Sequence, residues 1–120
     1  MKYLLLILSL ALSLAAQAAA PTASDLLNDS STGADITTYG MGYDLQRHSP
    51  LKQIDRETVR RLVPVWSLSL ANNFPQETQP LVVGGTLYAT TVDATVAVDA
   101  ATGKQLWRTP VKLPQDVFAI

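Results

Sequence analysis

The stretch Ala97-Val98-Asp99-Ala100-Ala101-Thr102-Gly103-Lys104-Gln105-Leu106-Trp107 decides the fold, and it reads A-x-D-x-x-T-G-K-x-x-W. Asp99 can bond the backbone of the turn it opens, Thr102 can add a second side-chain bond, and Gly103 suits a left-handed position. Trp107 then emerges on the following strand, a large flat group able to dock on a neighbouring sheet. Upstream the strand-like character continues. Residues 95–98 (TVAV) and 86–91 (TLYATT) are β-branched and aromatic. Residues 81–83 (LVV) lead into Gly84-Gly85, a hairpin turn where positive φ is easy. Residues 65–70 (VWSLSL) alternate in part, and residues 72–76 form a loop. Short strands joined by tight turns, with no helix between them, predict an antiparallel meander.

Four strands between Trp66 and Trp107 amount to about one propeller blade, for which roughly 40–50 residues is the usual repeat. The expected class is all-β: a four-stranded antiparallel, blade-like sheet behind an N-terminal extension that contains a short helix. In that extension, residues 39–50 (YGMGYDLQRHSP) carry two Gly and a Pro with no sustained period. They form a loop that contacts elsewhere must hold. Asp55 is a suitable N-cap, and Ile54, Thr58, Val59 and Leu62 line one side of a helix over residues 56–61 that Pro64 stops. Arg56, Glu57, Arg60 and Arg61 lie mainly on the other, solvated face. Residues 21–35 read as a lead-in with one helical turn after Ser24.

The first twenty residues read as a targeting segment. Lys2 gives a short positive region, residues 4–14 are apolar save Ser9 and Ser13, and A-x-A patterns follow at residues 16–18 and 18–20. This is the layout of a cleaved secretory signal peptide. The apolar run is too short for a membrane anchor, which needs about 20 residues. Three regions follow: a signal peptide (1–20), an extension with loop and short helix (21–63), and an incomplete blade region (64–120). The exported product is expected to be soluble.

Composition removes other classes. The chain has 120 residues, 9 basic and 10 acidic side chains, one His and no Cys. Without Cys there is no disulfide framework, no thiolate metal site and no c-type haem attachment. A formal charge of -1 leaves no basic footprint for nucleic acid. A single His cannot build a multi-histidine metal site.

At the A-x-D-x-x-T-G-K-x-x-W stretch the sequence resembles the tryptophan-docking repeat of the quinoprotein propellers. The likeness extends through residues 38–54 (TYGMGYDLQRHSPLKQI), 62–70 (LVPVWSLSL) and 76–91 (QETQPLVVGGTLYATT). In this order the segments are similar to the N-terminal part of pyrroloquinoline-quinone (PQQ)-dependent alcohol dehydrogenases of the methanol/ethanol type. The resemblance implies an eight-bladed periplasmic propeller that holds PQQ, with calcium or a lanthanide beside it. It implies oxidation of an alcohol by hydride transfer to the quinone, with an aspartate taking the hydroxyl proton and electrons passing to a cytochrome c. It also implies that the Glu of residues 76–80 (QETQP), Glu77, contacts the cofactor. A carboxylate, or its protonated form, can bond a polar quinone edge in a partly dry cavity. The family's cysteine pair, metal ligands and catalytic Asp belong downstream of Ile120. The chain alone is therefore expected to be inactive, with no catalytic or metal residue assigned and no firm hold on PQQ, unless another chain supplies the missing blades.

Other residues take plainer readings. His48 is a loop-fixing hydrogen-bonder, Asp93 and Asp99 are turn acids, and Trp66 and Trp107 are core or inter-blade packing groups. Gly84-Gly85 opens no helix and is no phosphate loop. The alternative from another class is a small exported β-propeller-type binding or assembly module without catalysis.

Overall fold

The computed structural model describes residues 19–73 and 75–112. The targeting segment before Ala19, and the stretch from Leu113 onward, lie outside the described residues. The sheet contains four strands in the order β1 (Leu81–Val83), β2 (Thr86–Thr90), β3 (Ala94–Asp99) and β4 (Gln105–Pro110), each antiparallel to its neighbour. This is the blade-like meander the sequence implies.

β3 is central and carries the core. Ala94, Val96, Ala97 and Val98 are essentially buried, and so are Ala89 of β2 and Met41 of the loop. Successive residues of a strand face opposite ways, so burial of 96, 97 and 98 means that both faces of β3 are covered. On one face Tyr88, Ala97 and Trp107 stand in register across β2, β3 and β4. The small side chain of Ala97 lets the two rings meet over it, their centroids 6.0 Å apart at an interplanar angle of 50°. The register of β4 slips beside Ala97 and Val98, so that Trp107 faces Ala97 while Gln105 faces Val98. Such a bulge re-aims the strand locally.

The β1–β2 hairpin closes through Gly84 (φ 54°) and Gly85 (φ 75°). Two successive positive φ values match the twist of the flanking strands, which is why Gly-Gly is suited there. A Cβ on Gly85 would enter open space, so only its backbone conformation restricts substitution. Gly85→Asn is expected to lower stability by less than about 1 kcal/mol, and Gly85→Val by about 2 kcal/mol. Thermal unfolding of the two variants side by side measures the difference; equal losses would show that the turn tolerates other conformations.

Two local expectations are corrected. Residues 65–70 do not form a strand: the segment is extended but joins no ladder. Their alternation is instead that of a chain lying against the blade, with Trp66, Leu68 and Leu70 half-buried and Val65, Ser67 and Ser69 exposed. Residues 56–61 do not form an α-helix but a turn followed by a 3-10 helix, Val59–Arg61. Asp55 does cap the turn, accepting from the amides of Glu57 (2.9 Å) and Thr58 (2.7 Å). Only one backbone bond has α-helical spacing, Val59 N to Asp55 O, before bonds of 3-10 spacing take over. So few residues before Pro64 cannot offset helix nucleation. Packing does not help, since Ile54, Val59 and Leu62 are exposed.

The helices lie earlier. α1 (Ala23–Leu27) begins at a capping box in which Thr22 and Asp25 satisfy each other's backbone amides. α2 (Asp29–Thr32) ends at Gly33. The chain then reaches the sheet, where Ile36 makes an isolated antiparallel bridge to Val82 of β1. Among the described residues no helix is long and apolar enough to cross a membrane.

Candidate functional site

Two features converge on the blade: a docking surface on the turn after β3, and a pair of clefts at the start of β1. The docking surface is built from the turn upward. Asp99 Oδ1 accepts from Ala101 N (3.1 Å), Thr102 N (2.8 Å) and Thr102 Oγ1 (2.8 Å). The Thr102 hydroxyl and amide together hold the Asp99 carboxyl below the usual carboxylate range, against a smaller opposing effect of burial. Gly103 follows at φ 72°. Asp99 thus acts as the turn acid its spacing suggests.

The indole of Trp66 lies flat against that turn. A Cβ at Gly103 would sit 2.5 Å from Trp66 Cδ2 and 2.7 Å from Cε3 and Cγ. The indole Nε1–H donates to Ala100 O at 3.0 Å. The turn therefore presents a bare glycine face to the ring and an inward carbonyl to its edge, and Trp66 satisfies both. Further along, Arg108 donates to Leu70 O (3.0 Å) and pairs with Asp93 (3.0 Å), which also accepts from Thr91 Oγ1 (2.7 Å) and Asn72 Nδ2 (3.3 Å). Asp93 is more than a turn acid, since it ties the 65–72 segment to β4. Trp107 itself remains 43 % exposed on β4.

Glu77 lies exposed on the segment leading into β1 and borders both clefts. One, of about 260 Å³, lies between residues 75–78 and Thr90, Thr91 and Val92 at the end of β2. The other, of about 410 Å³, lies between residues 77–80 and Tyr39. Thr78 Oγ1 and Thr90 Oγ1 are hydrogen-bonded at 2.9 Å, which fastens the Glu77 segment to the sheet. Carboxylate, hydroxyl, amide and phenol groups thus border one open space, a donor and acceptor set that fits one edge of a flat, polar quinone. Among the described residues no three His, Cys, Asp or Glu side chains come together in a set able to hold a metal ion.

Tyr39 was not legible as a cleft residue. Its loop only had to be held elsewhere, and the structure shows how. Arg47 N donates to Gly40 O (2.8 Å), Leu45 N to Gly42 O (3.2 Å), and the Arg47 guanidinium sits 4.6 Å over the Tyr39 ring. His48 is exposed, and these contacts fix the loop in its place.

Comparison with known proteins agrees with this geometry. The family of PQQ glucose/ethanol/alcohol dehydrogenase β-propeller domains matches residues 37–118. The chain is 44 % identical over 99 residues to the 1-butanol dehydrogenase (quinone) of Thauera butanivorans, covering 80 % of this chain and 16 % of that protein. It is 41 % identical over 99 residues to the quinoprotein ethanol dehydrogenase of Pseudomonas aeruginosa, with the same 80 % and 16 % coverage. A quinoprotein alcohol dehydrogenase of Pseudomonas putida is 37 % identical over 115 residues, 93 % of this chain and 19 % of its own length. The chain thus spans a fifth or less of the length of the relatives it matches. With a blade-like meander, a tryptophan seated on its own docking repeat and a match that runs through both, this chain belongs to the PQQ-dependent alcohol dehydrogenase propeller family.

Proposed function

We propose that this chain forms the N-terminal, first-blade region of a periplasmic quinoprotein that oxidises primary alcohols with PQQ as electron acceptor. In this reading residues 1–20 direct export, residues 21–63 form the extension and residues 64–120 the blade region. The observation that carries the proposal is the position of Glu77, on the rim of two clefts at the head of β1, within the segment that the family resemblance assigns to the cofactor.

Glu77 and its neighbours bind and orient; the chemistry lies with other parts of the propeller. PQQ, when bound, supplies the hydride acceptor. Glu77 would bond a polar edge of that group, while Thr78 and Thr90 keep the carrying segment in place. Tyr39 walls one side and limits access of water. Calcium or a lanthanide, the catalytic Asp and the electron path to a cytochrome c belong to the blades that complete the site. Trp107, exposed on β4, is the group through which the next docking repeat would be engaged.

Titration of the chain with PQQ tests the reading, with tryptophan fluorescence as readout. Weak, saturable quenching is expected, and Glu77→Ala is expected to weaken it about tenfold or more, the scale of a lost hydrogen bond to a charged group. Quenching that Glu77→Ala leaves unchanged would remove Glu77 from the cofactor. The chain with PQQ and calcium or a lanthanide is expected to give no dye reduction with methanol or ethanol. Turnover would show that the reacting groups are here after all.

A further inference from the structure

Residues 35–38 run as an arm along the edge of β1, and half of the hydrogen bonds that hold them there converge on one side chain. Ile36 exchanges two backbone bonds with Val82, both at 2.8 Å, and Asp35 Oδ1 accepts from Gly84 N at 2.9 Å. The third anchor is Asp29 of α2. It is only 4 % exposed, yet its carboxylate accepts from Thr37 N (2.8 Å), Thr38 N (2.9 Å) and Thr38 Oγ1 (2.7 Å). Thr38 Oγ1 in turn accepts from Gly42 N at 2.6 Å, so the same side chain also fixes the start of the loop that carries Tyr39.

We propose that Asp29 is an acid-released latch, which holds the 35–38 arm on the β1 edge and, through it, holds Tyr39 at the wall of the Glu77 cleft. Every bond to Asp29 comes from a donor, so the ionised carboxylate satisfies all three. Protonation removes the charge that strengthens all three bonds and turns one oxygen into a donor, which the two amides cannot accept and only the Thr38 hydroxyl can meet by reversing its own bond. Apart from Asp29, the arm is held by one bridge and the Asp35–Gly84 bond, both at the edge of a three-residue strand. Other acids lie near Asp29. Asp25 of α1 and Asp35 of the arm line the same small cavity with Asn28 and Thr37, and Asp44 lies beside Gly42. Among the described residues the ion pair is Arg108–Asp93, so no cation is paired with these acids.

The direction of the pH effect follows. Burial raises the pKa of Asp29, but the hydrogen bonds from Thr37 and Thr38 outweigh it and hold the group below its ordinary value. A depressed carboxyl contributes stability that is fully present above the unfolded pKa of about 3.9 and is lost as pH falls through the folded value. The arm is therefore latched at neutral pH and released in acid.

Amide hydrogen exchange of the full chain between pH 7 and pH 3, corrected for the intrinsic pH dependence, tests the latch. The amides of Ile36, Thr37, Thr38 and Val82 are expected to lose protection severalfold in acid while Val96 and Val98 of β3 keep theirs. Asp29→Asn is expected to show the same loss at pH 7, and Asp35→Asn to retain the acid response. Simultaneous loss in the arm and in β3 would overturn the proposal, because the transition would then be global. So would an arm that stays protected at pH 3, or an acid response abolished by Asp35→Asn. If Asp29→Asn does not fold, the wild-type and Asp35→Asn pH series decide between these outcomes.

Discussion

Gly103→Ala is expected to destabilise the blade by about 2–5 kcal/mol. Two independent costs add. At φ 72° an L side chain sits in the left-handed region, which costs roughly 1–2 kcal/mol. The new Cβ would also lie 2.5–2.7 Å from three atoms of the Trp66 ring, a separation that no rotamer of alanine relieves. The indole must move, and overpacking of this kind costs about 1–3 kcal/mol. Because Trp66 Nε1 bonds Ala100 O, a displaced ring also gives up that bond. Chemical denaturation followed by tryptophan fluorescence measures the loss. A change below about 1 kcal/mol would mean that the ring does not rest on Gly103 in solution.

Where the sequence proved readable, the interactions were local. The Asp99–Thr102–Gly103 turn was legible because its donors, acceptor and left-handed glycine fall within five consecutive positions. Gly84-Gly85 was legible for the same reason. Trp66 was legible as a packing residue but not as a docked one, since Ala100 and Gly103 are more than thirty positions away. Residues 65–70 show why: period-two burial marks an extended chain against a surface, whether or not a ladder partner exists. The 56–61 stretch failed in the opposite sense. Its cap and apolar spacing were right for a helix, but Ile54, Val59 and Leu62 stay exposed and give it no buried face. Asp29 gave no signal at all, because in a lead-in rich in Ser, Thr, Asp and Asn nothing separates the acid that accepts three bonds from the others. Glu77 was named through family resemblance alone, and it lies on the rim of the two clefts.

Trp66→Ala is expected to cost about 3 kcal/mol, and its coupling to Gly103 separates docking from mere bulk. A large aromatic side chain buries 150–250 Å² when fully covered. Trp66 is half-buried, so at roughly 25 cal/mol per Å² the ring accounts for about 2–3 kcal/mol. The Nε1–Ala100 bond contributes about 1 kcal/mol more. Trp66→Phe should then keep most of the ring contact and lose only that last amount. The double variant Trp66→Ala/Gly103→Ala is the sharper experiment. With the indole gone, the alanine Cβ meets no ring, and Gly103→Ala should cost only its backbone share of roughly 1–2 kcal/mol. The double variant is therefore expected to be more stable than the sum of the singles by about 1–3 kcal/mol, a coupling of the size found for residues in contact. Strict additivity would place the ring away from the turn. It would also remove the geometric basis for reading this repeat as a docking surface, and with it the role assigned to Trp107 on the open side of β4.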